Sequence, residues 1–458
     1  MCKSQMSTLL RLKSTGLFRR FGRDAIRGTK TVLAVLAILA SVLAWGSAPV
    51  RADDNDGDLG RDKVRVLTQN MYIGADLTPI ALAKTLPQFL DAITTVTQNI
   101  VATKPAERAA AMAAEIAKQR PDFVALHEAW RLTAGGIIVE DLLQSLLDNL
   151  KALGQPYDLV RAGTVNGIVN DNDVDLTTCR PPFNIHLTDR GAILMRTDVD
   201  IAIIGVQSQP FLTPISIPTP LPPPCDTLTS HPGYVSVDAI VRGRPLRFVS
   251  VHLIPGPITR MLAHTTELLQ LAADTTTLPL VFGGDFNTTA DDPSNPSHQI
   301  YQALIDAGLT DAWNPQRPGP TCCQDPKLLN ARSQLEHRID LILLRGAFAV
   351  ENINLIGNKP SDRTPSGLWP SDHAGIVATL AGPESQQFIP DSEPISGLAG
   401  VPLDLQKQAA PQSLWSQWGD DCCWHEAAVR TCPLLRRLWG LSGHRSASSI
   451  CCPACPRG

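Results

Sequence analysis

The 458-residue chain predicts a layered α/β fold with mixed sheets. Three observations predict it. Short apolar runs alternate with helical patterns from Val64 to about Leu380. In the middle of that region several strand-like runs follow one another as hairpin-like pairs. Hydrophobic residues make up 43% of the chain and charged residues 18%, so a large core can form and a mainly disordered chain is excluded.

In chain order, "KVRVLTQN" reads as a strand with a polar end. Residues 77–119 read as helical, most clearly in the alanine-rich stretch that opens at Pro105, a residue suited to a first helical turn. "DFVALHEAW" is a buried strand ending in an acid, and the leucine spacing of "IVEDLLQSLLDNLKAL" fits an amphipathic helix. "YDLVRA", "GAILMR", "DIAIIGV", "GYVSVDAIV" and "LRFVSVHL" read as strands. "QPFLTPISIPTPLPPPC" carries too many prolines for a central strand and reads as a long surface loop. "ITRMLAHTTELLQLAAD" returns to helix, and "LPLVFGGDF", "RIDLILL" and "HAGIVATL" return to strand.

The flanks differ from this body. Residues 1–30 carry eight Lys or Arg against Asp24, and the apolar stretch "TVLAVLAILASVLAWGSA" follows. A basic region, an apolar run and a small residue at Ala52 read as an export signal over residues 1–52, giving a secreted or periplasmic protein. An uncleaved membrane anchor over residues 31–50 is the rival reading. Residues 53–382 form the expected catalytic domain, 383–419 a Pro/Ser/Gln-rich linker, and 420–458 a Cys-rich tail without periodicity. "CPAC" with His425 and His444 has zinc-like spacing, but the missing periodicity favours a poorly structured tail.

Removing residues 1–52 leaves 31 basic and 43 acidic side chains, a formal charge of −12. That balance, with no basic run in the body, counts against a grip on duplex nucleic acid. Of the 11 cysteines, Cys179 and Cys225 form a candidate disulfide in an exported protein. Cys322 and Cys323 can bond to each other or elsewhere.

Six apolar segments carry polar residues at a strand end: Asn70, Glu128, His252, the Asp285/Asn287 pair, Asp340, and the Asp372/His373 pair. Strand ends in α/β sheets are rigid rims where side chains converge. Carboxylates and amides suit Mg²⁺, Mn²⁺ or Ca²⁺, and histidines exchange protons near neutral pH. Phosphodiester hydrolysis needs that mixture. Taken singly, each residue has a plainer reading: a solvent-facing acid, a turn asparagine, a bonded core histidine, an Asx turn. Six such ends in one chain are hard to explain that way.

The series resembles the endonuclease/exonuclease/phosphatase superfamily from about Val64 to Leu380, with "GGDFN" and "SDH" its specific parts and "QN" and "HE" individually weak. The resemblance implies a four-layer α/β sandwich, with two mixed β-sheets packed face to face and helices outside. It implies Glu128 as a principal metal ligand, Asn70 beside it, and Asp372 near the metal. It implies Asp285 and Asn287 facing the attacking water and phosphate, and His373 at the phosphate or in proton transfer, oriented by Asp340. His252 matches the histidine of the deoxyribonuclease and sphingomyelinase branches. In "GGDFN", glycines are expected to permit a tight turn, with Asp285 and Asn287 to one side and Phe286 in the core.

The expected activity is metal-dependent phosphodiester hydrolysis on a phosphate-ester substrate, with a phospholipid headgroup ahead of nucleic acid. "QNMY" and "DRGAILMR" look like bacterial sphingomyelinases. A non-catalytic binding module is the third reading, disfavoured because every working side chain is present. The apolar loop Phe211–Leu221 offers transient membrane contact or simply packs on its own protein. A monomer is expected.

Overall fold

A computed structural model describes residues 59–60, 62–179 and 184–382. The expected export segment or anchor, the linker and the Cys-rich tail lie outside the described residues. Among the described residues, no helix is long and apolar enough to cross a membrane.

The first mixed sheet runs in the order Ala349–Ile356, Gly375–Ala381, Lys63–Asn70, Phe123–His127, Ile185–Arg196, Arg131–Ala134, Ile137–Asp141. Tyr157–Leu159 and Ile168–Asp175 also pair with Ile185–Arg196. The second runs Ile201–Pro210, Gly233–Val241, Arg244–His252, Leu280–Asp285, Asp340–Arg345, Thr310–Asp311. In each, one parallel pair sits among antiparallel neighbours.

Period-two alternation divides the strands between three apolar layers. Val66, Phe123, Ala125 and Ile193 of the first sheet pack with Val237, Phe248, Val281 and Ile342 of the second. Phe123 and Phe248 stack there at 5.4 Å. The opposite face of the first sheet, with Leu67, Val124 and Leu126, packs on helices Leu86–Ala102, Pro105–Gln119 and Leu142–Ala152. The opposite face of the second, with Val249, Phe282 and Leu341, packs on helices Ile258–Leu268 and His298–Asp306. The result is the expected four-layer α/β sandwich.

Four details differ from the sequence reading. The stretch read as one helix from Ile138 begins instead as strand Ile137–Asp141, paired with Arg131–Ala134. The helix starts at Leu142, where Asp141 caps it by accepting the Gln144 N–H. The proline-rich segment contains the short strand Ile215–Pro218, paired with Thr227–Ser230. Its apolar side chains Phe211, Ile215 and Leu221 are buried, and only Leu212 stands out at 78% exposure.

The strands Ile168–Asp175 and Ala349–Ile356 escape sequence reading because their polar residues mask the alternation. Finally, the glycines of "GGDFN" are strand residues and not the turn. A Cβ on Gly283 would meet the Cβ atoms of Ala125 and Thr68 in the facing sheet at 3.2 and 3.3 Å. Gly283 therefore lets the sheets approach closely, and the positive-φ position falls on Asn287 (φ 48°).

Candidate active site

Backbone register assembles the site at one end of the sandwich. In the first sheet Asn70 stands opposite His127, the residue before Glu128. In the second, His252 stands opposite Asp285, and Asp285 opposite Asp340. His373 lies two residues before Gly375–Ala381, the strand that pairs with Lys63–Asn70.

Asn70 ties the two sheets together. Its Nδ2 donates to Glu128 Oε1 at 2.9 Å and to Asp285 Oδ2 at 3.0 Å, while its Oδ1 accepts the Tyr72 N–H at 2.8 Å. Glu128 Oε2 accepts the Ile73 N–H at 2.5 Å. Glu128 itself sits at φ 53°, a conformation non-glycine residues reach at some cost and that clusters at working sites.

Asp285 Oδ1 accepts the Asn287 N–H at 2.9 Å. Its Oδ2 lies 3.7 Å from His252 Nε2 and 3.9 Å from His373 Nδ1. Asn287 Nδ2 donates to the Leu253 carbonyl at 3.0 Å and lies 3.3 Å from His252 Nε2. Phe286 turns into the core, fully buried. His373 Nδ1 bonds Asp340 Oδ2 at 2.8 Å, leaving Nε2 toward Asp372 Oδ1 at 4.0 Å. Of the eight residues singled out in the sequence, Glu128, His252, Asp285, Asn287, Asp372 and His373 line one cleft, and the fully buried Asn70 and Asp340 are bonded to them from behind.

Burial and charge oppose each other here. Burial disfavours the His373 imidazolium, but Asp340, Asp372 and Asp285 outweigh it and hold the group well above its ordinary range. Burial likewise works against protonation of His252, and Asp285, Glu128, Asp189 and Asp171 raise it nonetheless. Burial, with Glu128 adding to it, pushes Asp372 up to about 7, against the pull of His373.

The sequence reading missed several residues of the site. Asp189 lines the same cavity and is pushed up to about 7, by burial first and then by Glu128. It lies in "TDRGAIL", where an acid beside an arginine inside an apolar strand was the available signal. Thr321 Oγ1 accepts the Asp340 N–H at 3.1 Å, and Ser371 Oγ donates to the Asn70 carbonyl at 2.7 Å. Cys322 and Cys323 form a vicinal disulfide at the cavity wall, with sulfurs near His373. The expected Cys179–Cys225 disulfide also forms.

The donor set fits a divalent cation. Carboxylates from Glu128, Asp189, Asp285 and Asp372 line the cavity, and among the described residues no lysine or arginine does. Ligand-type atoms of Asp285, Asp340 and His373 lie within 4.8 Å of one another. Such an excess of hard oxygen donors is what a cation of the magnesium type neutralises.

Two face-packed mixed sheets, with carboxylates, an amide and imidazoles gathered at one end, define an α/β sandwich of the phosphoesterase type. Residues 97–373, more than half of the chain, match the model of the Endonuclease/Exonuclease/phosphatase family, and the chain belongs to that family. Members of this family are typically metal-dependent hydrolases of phosphoesters.

Among solved structures, the chain is similar to a protein of this family from Bacteroides thetaiotaomicron, at 17% identity over 70% of this chain and 98% of the other, with a TM-score of 0.44. It is also similar to one from Beutenbergia cavernae, at 20% identity over 70% and 72%, with a TM-score of 0.42. A mannosyl-6-phosphatase from Bacteroides thetaiotaomicron is similar at 16% identity over 69% and 99%, also with a TM-score of 0.42. No curated protein matches the chain in sequence.

Proposed function

We propose that the protein is an exported, divalent-metal-dependent phosphodiesterase that hydrolyses its substrate by in-line attack of water. The observation that carries this reading is the bridge made by Asn70, which holds Glu128 of one sheet and Asp285 of the other in a single cleft.

Glu128 and Asp372 are the residues to hold a magnesium-type cation, with Asn70 fixing the Glu128 carboxylate. When bound, such a cation neutralises phosphoryl charge and lowers the pKa of a bound water or leaving alkoxide. Asp285 serves as the base for the attacking water, held by the Asn287 N–H on one oxygen and the Asn70 amide on the other. His373, oriented through Nδ1 by Asp340, presents Nε2 to the phosphate and stabilises its developing charge. His252, kept protonatable by the surrounding carboxylates, holds a second proton beside the reacting centre.

The substrate favoured is a phospholipid headgroup, in the manner of a sphingomyelinase, over nucleic acid. The absence of lysine and arginine from the described cavity lining supports that order, because a polyanion needs cationic partners along its backbone. The deciding experiment measures release of p-nitrophenol from bis-p-nitrophenyl phosphate with Mg²⁺ and with EDTA. Sphingomyelin vesicles and plasmid DNA then serve as alternative substrates. Turnover that EDTA abolishes, lost in Glu128→Ala, is expected, together with faster cleavage of the lipid. Metal-independent or absent turnover would favour a binding module, and preferential cleavage of the plasmid would favour a secreted nuclease.

A further inference from the structure

The catalytic cleft does not end at the polar residues. A cavity of about 590 Å³ contains Glu128, Asp285, Asp372 and His373 and continues along the helix Leu86–Ala102. Its wall includes Leu77, Val174, Ile185, Ile217, Leu228 and Ile254, all only partly buried by the protein itself. Half-buried apolar side chains facing a shared space leave it poorly suited to water, which needs two to four polar partners per molecule. The volume is roughly four times that of a ~150 Å³ apolar cavity that accepts one benzene ring, and it falls within the ordinary range for ligand sites.

We propose that this space takes a single hydrocarbon chain of the substrate, so that the protein acts on single-chain phosphate amphiphiles drawn into the molecule. The inference rests on the phosphoesterase reading only for the phosphate end of the ligand. Three features support a chain over a nucleoside or sugar. The apolar wall is continuous with the catalytic residues in one cavity. Tyr72 is the one six-membered aromatic ring in the described lining, so there is no platform for stacking a base on both faces. The charged groups of the lining, apart from histidine, are all acids, which leaves a single phosphate to be held beside a cation while the remainder of the ligand is uncharged or cationic.

Each methylene moved from water into the cavity tightens binding by up to about fourfold, the factor for about 0.8 kcal/mol. The probes are ethyl phosphate and dodecyl phosphate, the latter kept below its micelle threshold, titrated calorimetrically into the full chain with Mg²⁺ present. Dodecyl phosphate is expected to bind at least about tenfold more tightly, with the ratio falling toward one in Leu228→Trp, which fills the cavity. Leu228→Ala, a milder change at the same half-buried position, is expected to lower the ratio by a smaller factor. Circular dichroism verifies that each variant is folded. Equal affinities for the two probes, or an unchanged ratio in both folded variants, would overturn the proposal. Because binding is read without turnover, chain preference in a protein that cleaves no phosphodiester would sink the catalytic reading and leave this one standing. Turnover without chain preference would do the reverse.

Discussion

His373 Nδ1 and Asp340 Oδ2 form a buried hydrogen bond of 2.8 Å between residues 33 positions apart, and that bond fixes which imidazole nitrogen faces the cleft. Asp340 is in turn held by register, opposite Asp285 on the neighbouring strand, and by its N–H to Thr321. One carboxylate therefore sets the tautomer of a histidine and supports its charge.

Replacing either partner should show in both rate and titration. His373→Ala is expected to lower turnover at least about 100-fold, the scale of a lost acid–base or electrostatic group. Asp340→Asn removes the largest charge that raises the His373 pKa, so the imidazole should titrate at lower pH. Histidine resonances followed by NMR against pH check this. An unmoved His373 titration in Asp340→Asn would contradict the assigned role.

Chelation should make stability depend on pH in a definite direction. The folded pKa of His373 is raised, so its contribution is complete below about 6.5, its unfolded value, and is lost as pH rises through the folded pKa. Asp372, raised to about 7, has the same sign: its contribution is complete below about 4 and is lost as pH climbs through about 7. In EDTA the melting temperature is thus expected to fall between pH 5 and pH 8, with Mg²⁺ restoring more than about 3 °C at the upper end. Parallel melting curves with and without Mg²⁺ would rule out a cation among these carboxylates.

Glu128→Gln retains the shape of the side chain and removes its charge. Affinity for Mg²⁺ or Mn²⁺, measured by titration calorimetry, is expected to fall at least about tenfold, as when a metal ligand or its direct support is lost. Unaltered affinity would move the cation elsewhere.

Arg108 links the outer helix layer to the site. Its fully buried guanidinium donates to the carbonyls of Thr103, Met71, Tyr72 and Pro370, bracing the segments that follow Asn70 and precede Asp372. Arg108→Met would leave four carbonyls without this donor, at a cost of about 3 kcal/mol or more in urea unfolding. Wild-type stability in that variant would mean the carbonyls find other partners.

Gly283→Val tests the packing between sheets. The added side chain meets Thr68 and Ala125 across the sandwich and should cost about 1–3 kcal/mol by overpacking, read as a lower urea midpoint with an unchanged slope.

Much of this was legible in the sequence. Near-continuous apolar runs mark Lys63–Asn70, Phe123–His127, Arg244–His252 and Leu280–Asp285, because strands buried on both faces carry little polar content. The eight polar residues at strand ends stand out because each interrupts or borders such a run. Ile168–Asp175 did not stand out, since "IVNDNDVD" is a polar stretch whose pairing comes wholly from Ile185–Arg196. Asp189 was hidden because its meaning depends on which way a strand residue points and on what lies across the cavity.

By itself, then, the sequence determined the order of the more apolar strands and of the helices and the chemistry of the side chains at the strand ends, since these follow from local periodicity and residue type, while "GGDFN" and "SDH" pointed to one family. Only the tertiary structure decided that Gly283 spaces the sheets, that Asn70 bridges Glu128 to Asp285, and that an apolar cavity opens beside them. Those are relations between strands from opposite sheets, set by register and packing at long range, and no local pattern encodes a distance.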